Sequence, residues 1–272
     1  MDDKQEEPLV DADDSNGLLP VGEYVEEVAE GDRKVRRRGI YLLPNLFTTG
    51  TLFSGFYAII AAMHGDFEKA AVAIFAAMFF DGMDGRVARM TGTQSEFGVQ
   101  YDSLSDMVAF GVAPALVVFS WTLSGLGKVG WALSFVYAAG AALRLARFNT
   151  QVATADKNYF TGLASPAAAA VLASVVWVGA DAAWIGESQP YGLIAVVAVL
   201  TGLSGILMIT NIPYHSFKGI DFKGRVPFVV FPVIVLALAI AMIDAPKVVM
   251  LVALGYAFSG PIMALLRRKP SA

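Results

Sequence analysis

Cysteine is absent from the 272 residues, which excludes disulfides, thiolate nucleophiles and thiolate metal ligands. Histidine is scarce, with His64 and His215 alone. His64 falls in a short loop and reads as a solvated loop residue; His215 sits near Lys218, where headgroup contact is open but unforced. Charge is thin as well, with 16% of residues charged against 56% hydrophobic and a mean hydropathy of +0.58. That balance argues against an ordinary soluble domain and suits a polytopic helical membrane protein. The first residues lack the basic and apolar order of a cleavable signal peptide.

Basic residues are missing from the start of the chain. Residues 1–32 hold 12 of the 24 acidic residues, with Lys4 as their single base. They contain too few large apolar residues to build a core, so 1–32 reads as a disordered acidic tail, a solubilising extension. Residues 33–272 carry 19 bases against 12 acids and read as one membrane domain. Apolar runs recur there at lengths suited to a hydrocarbon core about 30 Å thick, roughly 20 helical residues each. They fall near residues 41–63, 67–90, 98–121, 129–149, 163–184, 191–211, 226–244 and 247–266, which predicts an all-α bundle of about eight transmembrane helices.

Loop charge supports that count. Alternate connections carry Arg86 and Arg89; Arg144, Arg147 and Lys157; Lys218, Lys223 and Arg225; and finally Arg267, Arg268 and Lys269. The intervening ones carry Lys69, Lys128 and Lys247. Basic residues collect on the cytoplasmic side, so both termini are expected there, in the cytoplasmic membrane of the cell. Trp121, Trp131, Trp177 and Trp184 lie near predicted span ends on the other side, as an aromatic belt would.

Acid within the apolar runs is the exception. Residues 81–106, DGMDGRVARMTGTQSEFGVQYDSLSD, place Asp81, Asp84, Asp102 and Asp106 in or against two predicted spans. A carboxylate near the bilayer centre costs about 2.5–3.5 kcal/mol on insertion scales, so each needs a partner. At 100° per residue, Asp81, Asp84, Gly85 and Ala88 share a sector of about 100°, with Arg89 beside it. Gly98, Asp102 and Asp106 recur every fourth residue, which stacks the two carboxylates about 6 Å apart along one face. Two facing helices then present four carboxylates to one cavity. An all-oxygen set suits hard cations such as Mg²⁺, Mn²⁺ or Ca²⁺, and two such ions about 3.5–4 Å apart would serve a phosphoryl-type displacement. Gly85 and Gly98 allow a phosphate close to the backbone, and Arg89 adds positive charge. From the aspartates alone two other readings stand: ion pairs with Arg86, Arg89, Arg144 or Arg147, and a cation pathway in a transporter.

The spacing Asp81-x2-Asp84-Gly85-x2-Ala88-Arg89-x8-Gly98-x3-Asp102-x3-Asp106 resembles, at every fixed position, the signature of the CDP-alcohol phosphatidyltransferases. That resemblance implies a helical membrane enzyme, usually homodimeric, which uses two divalent cations, Mg²⁺ or Mn²⁺, and displaces CMP from a CDP-linked lipid with an alcohol. It implies Asp81, Asp84 and Asp102 as metal ligands, with Asp106 beside the metal as general base. Gly85, Arg89 and Ser95 match positions that contact the CDP group. Asn45 and Thr48 resemble a further nucleotide contact, against a plain helix-start role after Pro44.

The signature does not choose the alcohol. ALRLARFNT (142–150) and YFTGLASPAAAA (159–170) resemble the membrane-embedded, serine-using branch of the family, which shares the eight-span count. This implies CDP-diacylglycerol and L-serine as substrates among membrane lipids, phosphatidylserine and CMP as products, and no nucleic-acid partner. Serine carries a carboxylate, which a guanidinium binds in bidentate fashion. Arg144 and Arg147 are the candidates, one turn apart, although either also reads as a positive-inside anchor. Asn149, Lys157 and Ser165 are weaker candidates. Glycerol 3-phosphate or inositol phosphate as acceptor, or an ether-lipid donor, fits the same signature. Protease-cleavable tags at the two termini are expected to be cut from the cytoplasmic face alone; cleavage of opposite tags from opposite faces refutes the even span count.

Overall fold

A computed structural model describes residues 25–30, 33–38, 42–91, 96–151, 159–186, 189–190, 192–215 and 243–267. The chain divides into two compact units, Met1–Tyr41 and Leu42–Ala272. In the first, β1 (Val25–Glu30) pairs antiparallel with β2 (Arg33–Arg38), in a register that sets Glu27 opposite Arg36 and Glu30 opposite Arg33. The end of the stretch expected to be unstructured is therefore a strand. Residues 1–24 lie outside the described residues.

The second unit is helical. Its helices are α1 (Leu42–Met63), α2 (Phe67–Thr91), α3 (Glu96–Asp106), α4 (Ala113–Trp121), α5 (Lys128–Gln151), α6 (Ser165–Asp181), α7 (Leu193–Ile209) and α8 (Ala245–Arg267). A π-helical segment, Met107–Val112, joins α3 to α4 without a break. Seven of the eight predicted spans thus coincide with helix; the run 226–244 lies almost wholly outside the described residues.

Among the described residues, four helices are long and apolar enough to cross a membrane: Pro44–Met63, Phe97–Trp121, Lys128–Thr150 and Ala245–Leu266. α6 and α7 are apolar but shorter. α2 is long, but its second half, DGMDGRVARMT, exchanges apolar residues for the acidic motif.

The α1–α2 corner is set locally. Gly65 takes a positive φ of 79°, its N–H reaches Ala62 O at 3.0 Å, and the N–H of Asp66 reaches Ala61 O at 2.9 Å. These two bonds close the last turn of α1 in the Schellman pattern, for which glycine is the favoured residue. The helices then pack through Ala58, Ala61, Ala62, Ala70, Ala71 and Ala77, all buried. Small residues at helix contacts are what membrane packing favours, since lipid supplies no hydrophobic drive between helices. α5 and α7 approach even more closely: a Cβ on Gly140 would stand 2.4 Å from the Gly205 carbonyl oxygen. α6, SPAAAAVLASVVWVGAD, starts with proline in its first turn and buries residues on most sides, which makes it the centre of the bundle.

Trp121 departs from the aromatic-belt expectation. It is 3% exposed, its ring lies over Gly179, and its Nε1–H donates to Trp184 O at 2.9 Å. The missing side chain at Gly179 opens a core slot that sequence position alone does not reveal. Trp131 is exposed and stacks on Phe135.

On the loop side, β3 (Tyr159–Thr161) pairs antiparallel with β4 (Pro213–His215), which ties the α5–α6 connection to the segment after α7. Gly140→Leu is expected to lower the unfolding free energy by about 1–3 kcal/mol through overpacking. Gly255→Ala, which meets open space, is expected to be neutral or stabilising by up to about 1 kcal/mol. Thermal unfolding in detergent measures both.

Candidate active site

The site forms where α1, α2 and α3 meet. α2 contributes Asp81 and Asp84 from its polar half, and α3 contributes Asp102 and Asp106 from one face, as the four-residue spacing dictates. One oxygen from each of Asp81, Asp102 and Asp106 lies within 4.8 Å of the other two. Asp84, 6% exposed, is held by α1: Thr48 Oγ1 donates to its Oδ2 at 3.0 Å. The Gly85 N–H donates to its other oxygen. Asp84 also lies within hydrogen-bonding reach of Asp102, and Asp81 of Asp106, so the four form one group.

Like charges this close cannot all stay ionised without a cation among them. Among the described residues no arginine comes within ion-pair distance of a site aspartate, although Arg89 lies within electrostatic reach of Asp84. Among the described residues, the ion pairs within 4.0 Å are Lys69–Asp66 and Lys247–Asp244, and neither involves a site aspartate. Asp102 Oδ1 and Asp106 Oδ1 are buried without a hydrogen-bond partner. Unsatisfied buried carboxylate oxygens in a cluster this tight, with no sulfur or imidazole in it, fit a hard divalent cation.

A cavity of about 260 Å³ adjoins this group, lined by Pro44, Asn45, Thr48, Asp84, Gly85, Ala88, Arg89, Gly98, Val99 and Asp102. Every signature position from Asp84 to Asp102 is on that lining, and α1 closes the side that the signature leaves open. The small residues Gly85, Ala88 and Gly98 keep the space free, and Arg89 is exposed.

α5 approaches from the far side. Arg144 Nη1 donates to Ser165 Oγ at 2.9 Å, its buried Nε has no partner, and the guanidinium lies within electrostatic reach of Asp106 and of Tyr256 on α8. Arg147, one turn on, donates instead to Asn211 Oδ1 at 3.0 Å. Asn149 Nδ2 donates to Ser103 Oγ at 3.0 Å, which ties α5 to α3 between the two aspartates.

The family model for CDP-alcohol phosphatidyltransferase matches residues 41–259. The chain belongs to that family. Among curated relatives, it is 38% identical over 185 residues to a CDP-diacylglycerol–serine O-phosphatidyltransferase of Helicobacter pylori, covering 68% of this chain and 76% of the relative. It is 33% identical over 228 residues to the protein of that name from Mycobacterium bovis, covering 81% and 78%. An archaetidylserine synthase of Methanothermobacter thermautotrophicus is 32% identical over 179 residues, covering 65% and 71%. Membership replaces the transporter reading with an enzyme, and the family generally depends on divalent cations.

Of the residues singled out from sequence, the structure brings Asp81, Asp84, Asp102 and Asp106 into one group and Asn45, Thr48, Gly85 and Arg89 onto one cavity. Thr48 does more than start a helix, because its hydroxyl serves Asp84. Ser95 and Lys157 lie outside the described residues. Arg144 and Arg147 part company: Arg144 turns to the aspartates, Arg147 to the loop after α7. Tyr256 was missed, and its only sequence signal is a hydroxyl inside an apolar run. Thr48→Val leaves a buried Asp84 oxygen unsatisfied and is expected to cost about 1–3 kcal/mol in thermal unfolding. Thr49→Val, at an exposed hydroxyl, is expected to stay within about 0.5 kcal/mol.

Proposed function

We propose that this protein transfers the phosphatidyl group from CDP-diacylglycerol to the hydroxyl of L-serine, giving phosphatidylserine and CMP. The observation that carries the reading is the cavity of signature residues built against the carboxylate group, with Arg144 facing that group from the opposite helix. Family membership and the similarity to the CDP-diacylglycerol–serine O-phosphatidyltransferases support it.

The cavity between α1, α2 and α3 takes the CDP end of the donor. Gly85, Ala88 and Gly98 leave room for the diphosphate beside the backbone, and Arg89 faces it with positive charge. Asn45 and Thr48 bound the nucleotide side, and Ser95 is a further candidate CDP contact. Asp81, Asp84, Asp102 and Asp106 would hold divalent ions, Mg²⁺ or Mn²⁺. When bound, such ions supply Lewis-acid polarisation of the diphosphate and neutralise charge on the leaving group.

Serine enters from the α5 side. Arg144 is anchored through Nη1 on Ser165, which leaves Nε and the other amino group for the serine carboxylate. Arg147, spent on Asn211, is a loop clamp and a cytoplasmic anchor. As the serine oxygen attacks the phosphorus nearest the lipid, Asp106 takes the hydroxyl proton. The bond from that phosphorus to the CMP oxygen breaks, and the electron pair departs with CMP. The route is a single displacement, with Asp106 as its base.

The enzyme spans the cytoplasmic membrane eight times as a homodimer, with its termini and the site toward the cytoplasm. Residues 33–272 form the transferase domain and 1–32 the acidic extension.

Purified protein supplied with CDP-diacylglycerol, Mn²⁺ and labelled alcohols is expected to release CMP with serine and not with glycerol 3-phosphate or inositol phosphate. CMP release with a phosphorylated alcohol in place of serine refutes the acceptor assignment, and release with none refutes the activity. Asp106→Asn is expected to lower turnover by about 10²–10⁴-fold, the usual share of a general base, while CDP-lipid binding persists. Normal turnover in that variant removes Asp106 from the base role.

A further inference from the structure

The helix that carries Asp102 and Asp106 is not uniform. Directly after Asp106 it widens to π geometry over Met107–Val112, with the Ala113 N–H reaching back to Val108 O. The cause is in the sequence. An α-helical register would direct the Phe110 carbonyl to the N–H of residue 114, but Pro114 has none, and its ring crowds that carbonyl. A π turn relieves the crowding, and such turns recur at functional sites.

The carbonyl left without its helical donor is served from another helix. Tyr137 on α5, fully buried, donates its hydroxyl to Phe110 O at 3.0 Å. The backbone of α1 bounds the segment on another side, because a Cβ on Gly55 would stand 2.6 Å from Ala109 Cα. α7 backs Tyr137 itself: a Cβ on Gly205 would stand 2.8 Å from Tyr137 Cα. The π segment is therefore gripped where α1 and α5 converge, and the grip sits immediately beside Asp106.

A π turn inserts one residue, which rotates the helix on its two sides by about 100° relative to a uniform α-helix. Were it to close, Asp102 and Asp106 could not keep their facing toward Asp81 while Ala113–Trp121 kept their packing. We propose that Tyr137 is a positioning residue: its bond to the Phe110 carbonyl holds the π turn, and the π turn aims Asp102 and Asp106 at the cation. The role rests on the reading of the carboxylate group as a divalent-cation site.

The test uses full-length protein in detergent, with Mn²⁺ binding titrated by loss of the free-ion paramagnetic signal and stability followed by thermal unfolding. Wild type that binds no Mn²⁺ overturns the cation reading itself. Given binding by wild type, Tyr137→Phe is expected to bind Mn²⁺ about tenfold more weakly, the scale of outer-shell effects at metal sites. Its KM for serine is expected to stay within about twofold, since α5 still presents Arg144. Trp121→Phe removes a buried donor at the far end of the same helix. It is expected to lower the unfolding temperature at least as much and to leave Mn²⁺ binding unchanged. Wild-type Mn²⁺ affinity in Tyr137→Phe, or an equal loss in Trp121→Phe, overturns the proposal. Should Tyr137→Phe fail to fold, Pro114→Ala returns the N–H and lets the π turn close; it is expected to show the same tenfold loss, and wild-type affinity there is equally fatal.

Discussion

Four carboxylates crowded between two helices of an apolar bundle repel one another and lose hydration together, and the surrounding structure is arranged around offsetting that cost. Part of the compensation is local: Thr48 and the Gly85 N–H satisfy Asp84. The rest is left open, since Asp102 Oδ1 and Asp106 Oδ1 are buried without a hydrogen-bond partner. A structural ion pair would have filled those positions with guanidinium. Here Arg89 lies along the cavity and Arg144 is anchored on Ser165, both within electrostatic reach of the group but outside ion-pair distance, and the carboxylates form a cluster that could hold a hard cation.

Holding such a group in place requires backbones that cannot shift, and the bundle achieves this with small residues. Alanine lines the α1–α2 contact, Gly55 admits the π segment, and Gly140 and Gly205 let α5 and α7 touch through their main chains. In hydrocarbon, contacts of this kind carry helix association, because apolar side chains gain little by leaving lipid for protein. The same close packing brings distant residues into play: Tyr137 and Arg144, two turns apart on α5, serve the π segment and the far side of the aspartates respectively.

Much of this was legible along the chain. The acid within apolar runs, its three- and four-residue spacing and the absence of cysteine led from helix faces to an oxygen-ligand metal site, and the resemblance led to CDP. What failed to read were features made by contact between segments. Arg144 and Arg147 look equivalent in ALRLARFNT, yet one meets Ser165 and the other Asn211. Trp121 sits where a belt residue would, yet Gly179, nearly sixty positions on, opens a core slot for it. The acidic run at 25–30 lacks a core of its own and reads as unstructured until the basic run beside it pairs with it. Pro114 announces a disturbed helix, but not which side chain answers the freed carbonyl.

Sequence alone determined the helical spans it could measure by length and hydropathy, the face on which each aspartate stands, and the small residues that line the cavity. Those properties depend on periodicity and side-chain size, which are local. Only the tertiary structure decided that α1 closes the cavity through Thr48, that Arg144 rather than Arg147 faces the aspartates, and that a tyrosine from α5 steadies the turn behind Asp106. Each of those depends on which backbones lie close enough to exchange a hydrogen bond, a distance that no spacing along one helix encodes.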